Sequence, residues 1–326
     1  MRAVIPVAGV GTRLRPHTYS LPKVLLNVAG KPILGHILDA LLEQSIYKAT
    51  IITGYMGKLV EEYVTDRYSS MEFEFVVQEQ RLGLGHAIWI GSKDYGDEPL
   101  MIILGDTIFD VDLSVALKLG TNSIGVKAVE DPRRFGVVVK GSNNKIVKLV
   151  EKPEELISKL AIVGLYHIQD TRLLTDSLNE LINKDIRTRG EFQLTDALQM
   201  MIDKGAEFTT FPVDGWYDCG KPETLLSTNR FLLEKMPQEH HYKDSVIIPP
   251  VFISDSAIIE RSVIGPYASI ADGGVVKDSI VRNSIVSFNA KVVSSLLEQS
   301  IIGNDAEVKG QFHKLNVGDS SQISES

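Results

Sequence analysis

The sequence predicts an α/β protein in which a mainly parallel sheet carries helices on both faces and a β-solenoid follows it. Three observations support this fold class. Apolar, β-rich runs alternate with segments of helical periodicity from Arg2 to about Val213. The run LMIIL, from Leu100 to Leu104, is apolar throughout, as in strands buried on both faces. From Val246 to about Val308, short aliphatic pairs recur at spacings of five or six.

The first part of the chain divides into strands and helices in a regular order. The predicted strands are Ala3 to Ala8, Ala49 to Thr53, Phe73 to Gln78 and Leu100 to Leu104. The predicted helices begin at Pro32, Lys58 and His86, and the first carries an apolar stripe at spacings of three and four. Two extended runs around Ser-Asn-Asn, from Gly136 to Pro153, predict a hairpin that leaves the central sheet.

The pattern changes near Glu234, where the polar stretch EKMPQEHHYKDS begins. It predicts a boundary between a first domain over residues 1–240 and a solenoid over 245–315, and residues 316–326 are expected to form a flexible tail. In a solenoid each short repeat adds one face of a coil, and neighbouring coils bury the aliphatic stack. A small β-sandwich is the alternative, but the period-two alternation of longer strands is missing.

Composition restricts the class of protein. A chain of 326 residues with 44% hydrophobic side chains can bury the cores of two domains. Its one cysteine, Cys219, has no disulfide partner within the chain, and we see neither a secretory signal nor an apolar run of bilayer length, so we expect a cytoplasmic protein. The formal net charge of −8 argues against nucleic acid or a membrane as a partner.

The loop GVGTRLRPHTYSLPK, from Gly9 to Lys23, directly follows the first predicted strand. It does not match the dinucleotide-binding fingerprint, because the third glycine would fall on Leu14 and Pro16 prevents a helix from starting there. The Gly-Lys-Ser/Thr of a Walker motif is missing too. What remains is a glycine-rich turn at the carboxyl end of a strand, the usual ligand position in an open α/β sheet.

The residue types in this loop suit a polyphosphate. Gly9 and Gly11 let backbone N–H groups approach an anion, and Arg13, Arg15 and Lys23 supply positive charge. Taken alone, the same pattern is also compatible with a solvated surface loop.

The loop resembles the signature of the sugar-1-phosphate nucleotidyltransferases, G-x-G-T-R-(L/M)-x-P-x-T-x-x-x-P-K. The matching positions are Gly9, Gly11, Thr12, Arg13, Leu14, Pro16, Thr18, Pro22 and Lys23. The resemblance continues through FVVQEQRLGLGHAI, LGD, FGVVV, VEKP, GLY, RGEFQLTDAL and WYDCGKPETLLSTNR, which covers nearly all of the first 230 residues. It is strongest to the glucose-1-phosphate thymidylyltransferases and the UTP-glucose-1-phosphate uridylyltransferases. It implies a Rossmann-like sheet, and the solenoid resembles the left-handed parallel β-helix of long members.

The resemblance implies a reaction between a nucleoside triphosphate and a sugar 1-phosphate. An oxygen of the sugar phosphate attacks the α-phosphorus in line and pyrophosphate leaves, so positioning and charge neutralisation should carry most of the catalysis. By resemblance, Arg13 binds the β and γ phosphates and Lys23 neutralises charge near the α-phosphate. Gly9, Gly11 and Thr12 are the implied nucleotide-binding residues of the same loop.

Two aspartates are the implied metal ligands. Asp106 follows the apolar strand in LGD, and Asp218 lies in WYDCG. By resemblance they hold Mg²⁺ across the phosphates, a task that suits hard oxygen ligands. Taken singly, Asp106 is also compatible with a helix cap and Asp218 with a turn.

The resemblance assigns the sugar pocket to four residues. Lys152 in VEKP binds the sugar phosphate and Glu151 accepts hydrogen bonds from the hexose hydroxyls, with Gly136 and Tyr166 lining the pocket. The alternative is an exposed Glu151–Lys152 ion pair of little energetic weight.

Gln78 and Gly83 are spaced as in the pyrimidine-using members, where they read the base edge. One amide can satisfy a donor and an acceptor of thymine or uracil together. The choice between dTTP and UTP stays open, because LGDTIF resembles the thymidylyltransferases whereas IPVAGVGTRL and GLGHAI resemble the uridylyltransferases. In RGEFQLTDAL we leave Glu191 and Asp196 outside the catalytic set, since Thr195 or Asp196 can cap the helix that follows.

Other functions remain open. Gln78 with Gly83 disfavours a purine user such as a mannose-1-phosphate guanylyltransferase. A non-catalytic sensor of nucleotide-sugars would be favoured by loss of a catalytic residue, and none is lost. Acyl transfer on the solenoid needs a general base, and only His313 lies near its end. We therefore expect the solenoid to serve assembly or regulation, and the protein to be a homo-oligomer.

Overall fold

A computed structural model describes residues 1–236 and 242–310. They form two compact units, one made of Met1–Leu26 with Lys31–Thr228 and the other of Asn27–Gly30 with the chain from Asn229. The division falls between Thr228 and Asn229, before the polar stretch that begins at Glu234. The expected tail, residues 311–315 of the expected solenoid and His313 lie outside the described residues. Within the described ranges, no helix is long and apolar enough to cross a bilayer.

The chain up to Glu234 contains the α-helices and thirteen of the strands of the described residues. The helices are α1 (Ile33–Glu43), α2 (Gly57–Arg67), α3 (Leu84–Gly91), α4 (Leu113–Lys118), α5 (Thr171–Asn183), α6 (Leu194–Asp203) and α7 (Pro222–Glu234). The strands are β1 (Arg2–Pro6), β2 (Asn27–Val28), β3 (Lys31–Pro32), β4 (Lys48–Thr53), β5 (Glu72–Val77), β6 (Leu100–Ile103), β7 (Thr107–Asp110), β8 (Asn122–Ala128), β9 (Gly136–Lys140), β10 (Ile146–Glu151), β11 (Leu160–Ile168), β12 (Phe208–Pro212) and β13 (Gly215–Asp218).

Nine of these strands form one sheet in the order β10-β9-β11-β6-β1-β4-β5, and β8 pairs with both β11 and β12. The central strands β6, β1, β4 and β5 are parallel, as the sequence predicts. β11 runs antiparallel to its neighbours, so the sheet as a whole is mixed. β4 pairs with one edge of β1 and β6 pairs with the other edge, so the order of the strands reverses at β1. Ligands commonly bind at the carboxyl ends of strands where the order reverses in this way.

The hairpin β9–β10 does not leave the sheet, contrary to the expectation from sequence. Val137 of β9 pairs with Ala161 of β11, which makes the hairpin the end of the nine-stranded sheet. Val138 and Leu149 on the two hairpin strands are buried in the same core as α5 and α6. Their apolar side chains need a covered face, and the edge of the main sheet provides one.

Helices cover both faces of the sheet, as the sequence predicts. Successive side chains of a strand point to opposite faces, so Ala3 and Ile5 of β1 pack with α1 and α2 while Val4 packs with α3, α5 and α6. The four residues of β6 divide in the same way and are all buried. The uniformly apolar run therefore reflects burial on two sides.

The remaining strands belong to the second unit and are short. They are β14 (Val246–Ile247), β15 (Val251–Ile253), β16 (Ile258–Glu260), β17 (Val263–Ile264), β18 (Ala268–Ile270), β19 (Val275–Lys277), β20 (Ile280–Arg282), β21 (Ile285–Val286), β22 (Lys291–Val293), β23 (Leu296–Glu298), β24 (Ile301–Ile302) and β25 (Glu307–Lys309). Every third strand pairs in parallel, which gives three sheets of four strands each.

This unit is the left-handed parallel β-helix that the sequence predicts. Val263 pairs with Val246 and Ile280, and Leu296 pairs with Ile280, so successive coils are 17 or 16 residues apart. Three strands share each coil, which explains the aliphatic period of five or six. Serine side chains satisfy backbone N–H groups at the corners of the coils. The N–H of Ser279 donates to Ser262 Oγ, and Ser279 Oγ accepts from Ser295 N–H, both at 3.1 Å.

Replacing Ile270 by Ala should destabilise the β-helix. Ile270 is fully buried in its aliphatic stack, and a large-to-small change there leaves a cavity, so we expect a loss of about 2–5 kcal/mol in the free energy of unfolding. Denaturant-dependent hydrogen exchange of peptides from 251–293 measures it. Ile258→Ala is the matched control, because Ile258 is 47% exposed. Equal losses in both variants would contradict a buried stack at Ile270.

Candidate active site

The loops that follow β1 and β6 lie against each other at the carboxyl ends of these strands. Gly105 N–H donates to Pro6 O at 3.3 Å, and a Cβ on Gly105 would lie only 2.4 Å from Val7 Cγ1. The glycine therefore permits an approach that a larger residue would block. As a result, Asp106 stands beside the loop that contains Gly9.

Lys23 links this loop to both predicted metal ligands. Its Nζ lies 2.7 Å from Asp106 Oδ2 and 3.9 Å from Asp218 Oδ1. The lysine side chain is only 8% exposed, whereas the two carboxylates are 44% and 45% exposed. A buried ammonium needs such partners, because desolvation without them is costly. Gly11, with φ of 67°, packs against the lysine stem, and a Cβ there would lie 3.0 Å from Lys23 Cβ.

Asp218 reaches the site through a short antiparallel ribbon. β13 pairs with β7 so that Asp218 is opposite Thr107, and Cys219 N–H donates to Asp106 O at 3.0 Å. This register places two carboxylates that are distant in the chain side by side. Burial raises the pKa of the Cys219 thiol to about 12, so the thiol stays protonated near neutral pH.

Arg13 approaches Asp218 across Gly220. Arg13 Nη2 and Asp218 Oδ1 each lie 2.7 Å from the point that a Cβ on Gly220 would occupy. Arg13 is otherwise exposed, as is Thr12 at the start of the same 3₁₀ turn, Thr12–Leu14. Arg15 instead lies over the ring of Tyr19, 4.9 Å from its centroid.

Two cavities of the first unit share Asp106 as a lining residue. The smaller has a volume of about 350 Å³ and is lined by residues that include Gly9, Lys23, Gln78, Arg81, Gly83, Asp106 and Glu191. The larger has a volume of about 500 Å³ and is lined by residues that include Asp106, Gly136, Glu151, Tyr166, Gln193, Thr195, Trp216 and Asp218. Gly11, Thr12, Arg13 and Lys152 are not among the lining residues of either cavity.

Gln78, which lines the smaller cavity, is held by two partners. Its Nε2 donates to Gly83 O at 3.2 Å and lies 3.1 Å from His86 Nδ1. Both amide N–H groups are therefore engaged, and the side chain does not offer the donor and acceptor pair expected from sequence. Gly83 adopts φ of 113° and a Cβ would lie 2.5 Å from Phe192 O, so the position requires glycine.

In the larger cavity, Glu151 is held at the end of β10, opposite Gly136 of β9. A Cβ on Gly136 would lie 3.0 Å from Glu151 Oε2, and Thr195 Oγ donates to the same oxygen at 2.8 Å. The Glu151 side chain is only 11% exposed, although its Oε1 lies 3.4 Å from Lys152 Nζ. Burial, with a contribution from the Glu151 charge, raises the pKa of Tyr166 well above its usual value, so its phenol is protonated.

Lys152 has a constrained backbone at the rim of this region. Its φ is 44°, its N–H donates to Phe135 O at 3.0 Å, and its O accepts from Arg189 Nη2 at 2.9 Å. The Arg189 guanidinium thus places a second positive charge close to Lys152.

Sequence reasoning missed Arg189 and Thr195. Both lie in RGEFQLTDAL, where the only role considered was a cap for α6. The N-cap residue of α6 is Gln193, and Thr195 and Asp196 lie inside the first turn, so neither of them is the expected cap. Burial raises the pKa of Asp196, and the Glu151 charge adds to this shift. The spacing of the segment gave no signal that Thr195 would contact Glu151, because this contact joins two elements.

Comparison with known proteins identifies the family. Residues 2–235 match the family model described as nucleotidyl transferase. The chain belongs to this family. It is 33% identical to the bifunctional protein GlmU of Methanococcus maripaludis, over 98% of this chain and 77% of that one. It is 29% identical to a glucose-1-phosphate thymidylyltransferase of Streptomyces antibioticus, over 99% of both chains.

A solved structure agrees with these relatives. A UDP-glucose pyrophosphorylase complexed with UDP-glucose is similar at a TM-score of 0.62 and 26% identity, over 72% of this chain and 99% of that one. The family predicted from the opening loop, the sugar-1-phosphate nucleotidyltransferases, is confirmed. Its members act on a nucleoside triphosphate and a sugar phosphate.

Replacing Thr195 by Val should weaken use of the sugar phosphate by this nucleotidyltransferase. The change removes the hydrogen bond that orients Glu151 and keeps the side-chain volume, so we expect KM for the sugar phosphate to rise about tenfold. KM for the triphosphate should not change. Steady-state kinetics with each substrate varied in turn measures both constants. Thr195→Ser keeps the hydroxyl and serves as the control. A rise in both KM values would argue against a sugar-specific role.

Proposed function

We propose that this nucleotidyltransferase joins a pyrimidine nucleoside triphosphate, dTTP or UTP, to glucose 1-phosphate and forms dTDP-glucose or UDP-glucose with release of pyrophosphate. The observation that carries the proposal is the ammonium of Lys23 beside two carboxylates, that of Asp106, which lines both cavities, and that of Asp218, which lines the larger one. One cavity is suited to the nucleotide and the other to the sugar, so their junction is where the α-phosphorus would meet the attacking oxygen.

The smaller cavity supports the nucleotide part of the proposal. Gly9 lines it without a Cβ, and no atom lies within 4 Å of the point a Cβ would occupy there, so a phosphate can approach the backbone. Gln78 also lines this cavity and is only 7% exposed, as suits a side chain that reads a base.

The larger cavity supports the sugar part. Glu151 is an acceptor that Thr195 and Lys152 hold in place, and a carboxylate can accept hydrogen bonds from two hexose hydroxyls. Lys152, whose Nζ lies 3.4 Å from Glu151 Oε1, and Arg189, which donates to Lys152 O, supply two positive charges for the sugar phosphate. Trp216 lines the cavity and packs edge-on against Phe135, with ring centroids 4.6 Å apart, which provides an apolar wall for the C–H face of a hexose.

The proposed chemistry needs charge neutralisation more than proton transfer. A sugar phosphate is mostly dianionic near pH 7, so its attacking oxygen needs no general base. Lys23 lowers the repulsion between this oxygen and the α-phosphate. Arg13, which approaches Asp218 across Gly220, stabilises the charge that builds up on the leaving pyrophosphate.

We also propose Mg²⁺ as the cofactor, held by Asp106 and Asp218. Two carboxylates fit this ion, which usually takes one or two protein carboxylates and completes its shell with phosphate oxygens and water. Within the described ranges, no group of three or more His, Cys, Asp or Glu side chains forms a complete metal cage. When bound, the ion would neutralise phosphate charge and orient the triphosphate. Lys23 Nζ, at 2.7 and 3.9 Å from these carboxylates, neutralises them in the free protein.

A substrate panel tests the proposed function. With Mg²⁺ and glucose 1-phosphate, the purified protein should release pyrophosphate at least about a hundredfold faster with dTTP or UTP than with GTP or ATP, because the base site is built around an amide. Coupled detection of pyrophosphate gives the rates, and glucosamine, N-acetylglucosamine and mannose 1-phosphates extend the panel. Activity only with GTP and mannose 1-phosphate would refute the base and sugar assignments. Inactivity with every pair would favour a nucleotide-sugar sensor.

Mn²⁺ binding in the absence of nucleotide tests the metal site. Lys23→Met removes the competing ammonium, so the dissociation constant should fall by about tenfold. Asp106→Asn removes a ligand, so the constant should rise by at least about tenfold, with turnover lower by orders of magnitude. Calorimetric titration of wild type and both variants measures the constants. Unchanged Mn²⁺ affinity in both variants would place the metal elsewhere.

A further inference from the structure

We propose that His86 is a positioning residue that keeps the carbonyl of Gln78, and not its NH₂ group, facing the nucleotide cavity. His86 would thereby make the site selective for a base with an imide N–H, uracil or thymine, and against cytosine. This inference rests on the proposed function, and it concerns a residue that does not itself line the cavity.

The orientation of the Gln78 amide is fixed first by Gly83. The carbonyl of Gly83 can only accept, so the group 3.2 Å from it must be the Gln78 NH₂. Gln78 is 7% exposed, and an amide turned the other way would place two oxygens against each other out of water. Gly83 therefore uses one of the two amide N–H groups.

His86 uses the second N–H. Its Nδ1 lies 3.1 Å from Gln78 Nε2, and an NH₂ group can only donate, so Nδ1 is the acceptor and the ring proton is on Nε2. Gln78 Oε1 receives no hydrogen bond from the described part of the chain. The side chain is left with one free group, an acceptor, on a residue that lines the cavity.

The imidazole is held in the neutral state that this role needs. Its ring lies near those of Trp89 and Phe192, at centroid distances of 5.7 and 6.4 Å. Burial lowers the pKa of His86, and the Arg187 guanidinium, which lies 4.2 Å from the Phe192 centroid, lowers it further. A protonated ring would turn an N–H toward the Gln78 NH₂ and break the arrangement.

A fixed acceptor discriminates between the pyrimidines by hydrogen-bond chemistry. N3 of uracil or thymine carries a hydrogen and can donate to Gln78 Oε1. N3 of cytosine is an acceptor, so it would face the carbonyl oxygen with no hydrogen between them. Sites that pair a buried polar group with one substrate reject the analogue that leaves the group unpaired. Without His86 only the Gly83 contact holds the amide, so the amide can rotate and present an N–H to cytosine N3, and the discrimination weakens.

Two substitutions of His86 separate this role from packing. His86→Phe keeps a ring near Trp89 and Phe192 but has no acceptor, and His86→Gln restores an acceptor without the ring. We expect the wild type to prefer UTP over CTP, or dTTP over dCTP, by about 10³ in kcat/KM. The preference should fall at least about tenfold in His86→Phe and return to within about threefold of wild type in His86→Gln.

The outcomes distinguish this inference from the proposed function. Kinetics of the full-length protein with each triphosphate gives the ratios, and thermal unfolding shows whether the variants fold. An unchanged UTP-to-CTP ratio in His86→Phe contradicts the role of His86 alone. So does an equal loss of kcat/KM with both triphosphates, which would indicate a structural residue. A wild type that uses no pyrimidine triphosphate contradicts the proposed function and this inference together.

Discussion

The arrangement of the candidate site depends on one buried ammonium group between two carboxylates. Lys23 cannot be buried at 8% exposure without compensating charge, and Asp106 and Asp218 supply it. This requirement ties together three segments that are far apart in the chain. Gly11 adds to the constraint, because its lack of a side chain lets the loop close onto the lysine stem. The loop from Gly9 to Lys23 therefore packs against the Lys23 side chain, and Gly9 also leaves room for a phosphate near the backbone.

The order of the strands places these residues where the two cavities meet. Because β1 and β6 are neighbours while β4 lies on the other side of β1, the loops after β1 and β6 meet at one edge. The pairing of β13 with β7 then adds Asp218 to that edge. The hairpin β9–β10 extends the same sheet and ends at Glu151, so one sheet positions residues of both cavities.

Polar partners around each recognition residue determine what it can offer a ligand. A free Gln78 amide could both donate and accept hydrogen bonds. Because its NH₂ group contacts Gly83 and His86, only its carbonyl oxygen is left for a ligand. Glu151 would be a solvated carboxylate on an isolated hairpin, yet Thr195 and burial give it a defined direction. In both cases the neighbouring residue sets the chemistry of the residue that faces the cavity.

Short-range patterns in the amino-acid sequence are enough to predict part of this protein. The family motifs, the alternation of buried strands and helices and the period of the β-helix all depend on residues close in the chain, so periodicity and spacing reveal them. Which group of the Gln78 amide is free, by contrast, depends on the contacts of its NH₂ group in the folded chain. Other features depend on contacts between distant segments: Asp218 stands beside Asp106, Thr195 donates to Glu151 and the β9–β10 hairpin joins the sheet. These contacts join distant segments through strand pairing and helix packing. A local sequence pattern cannot predict which distant residue a polar group will contact.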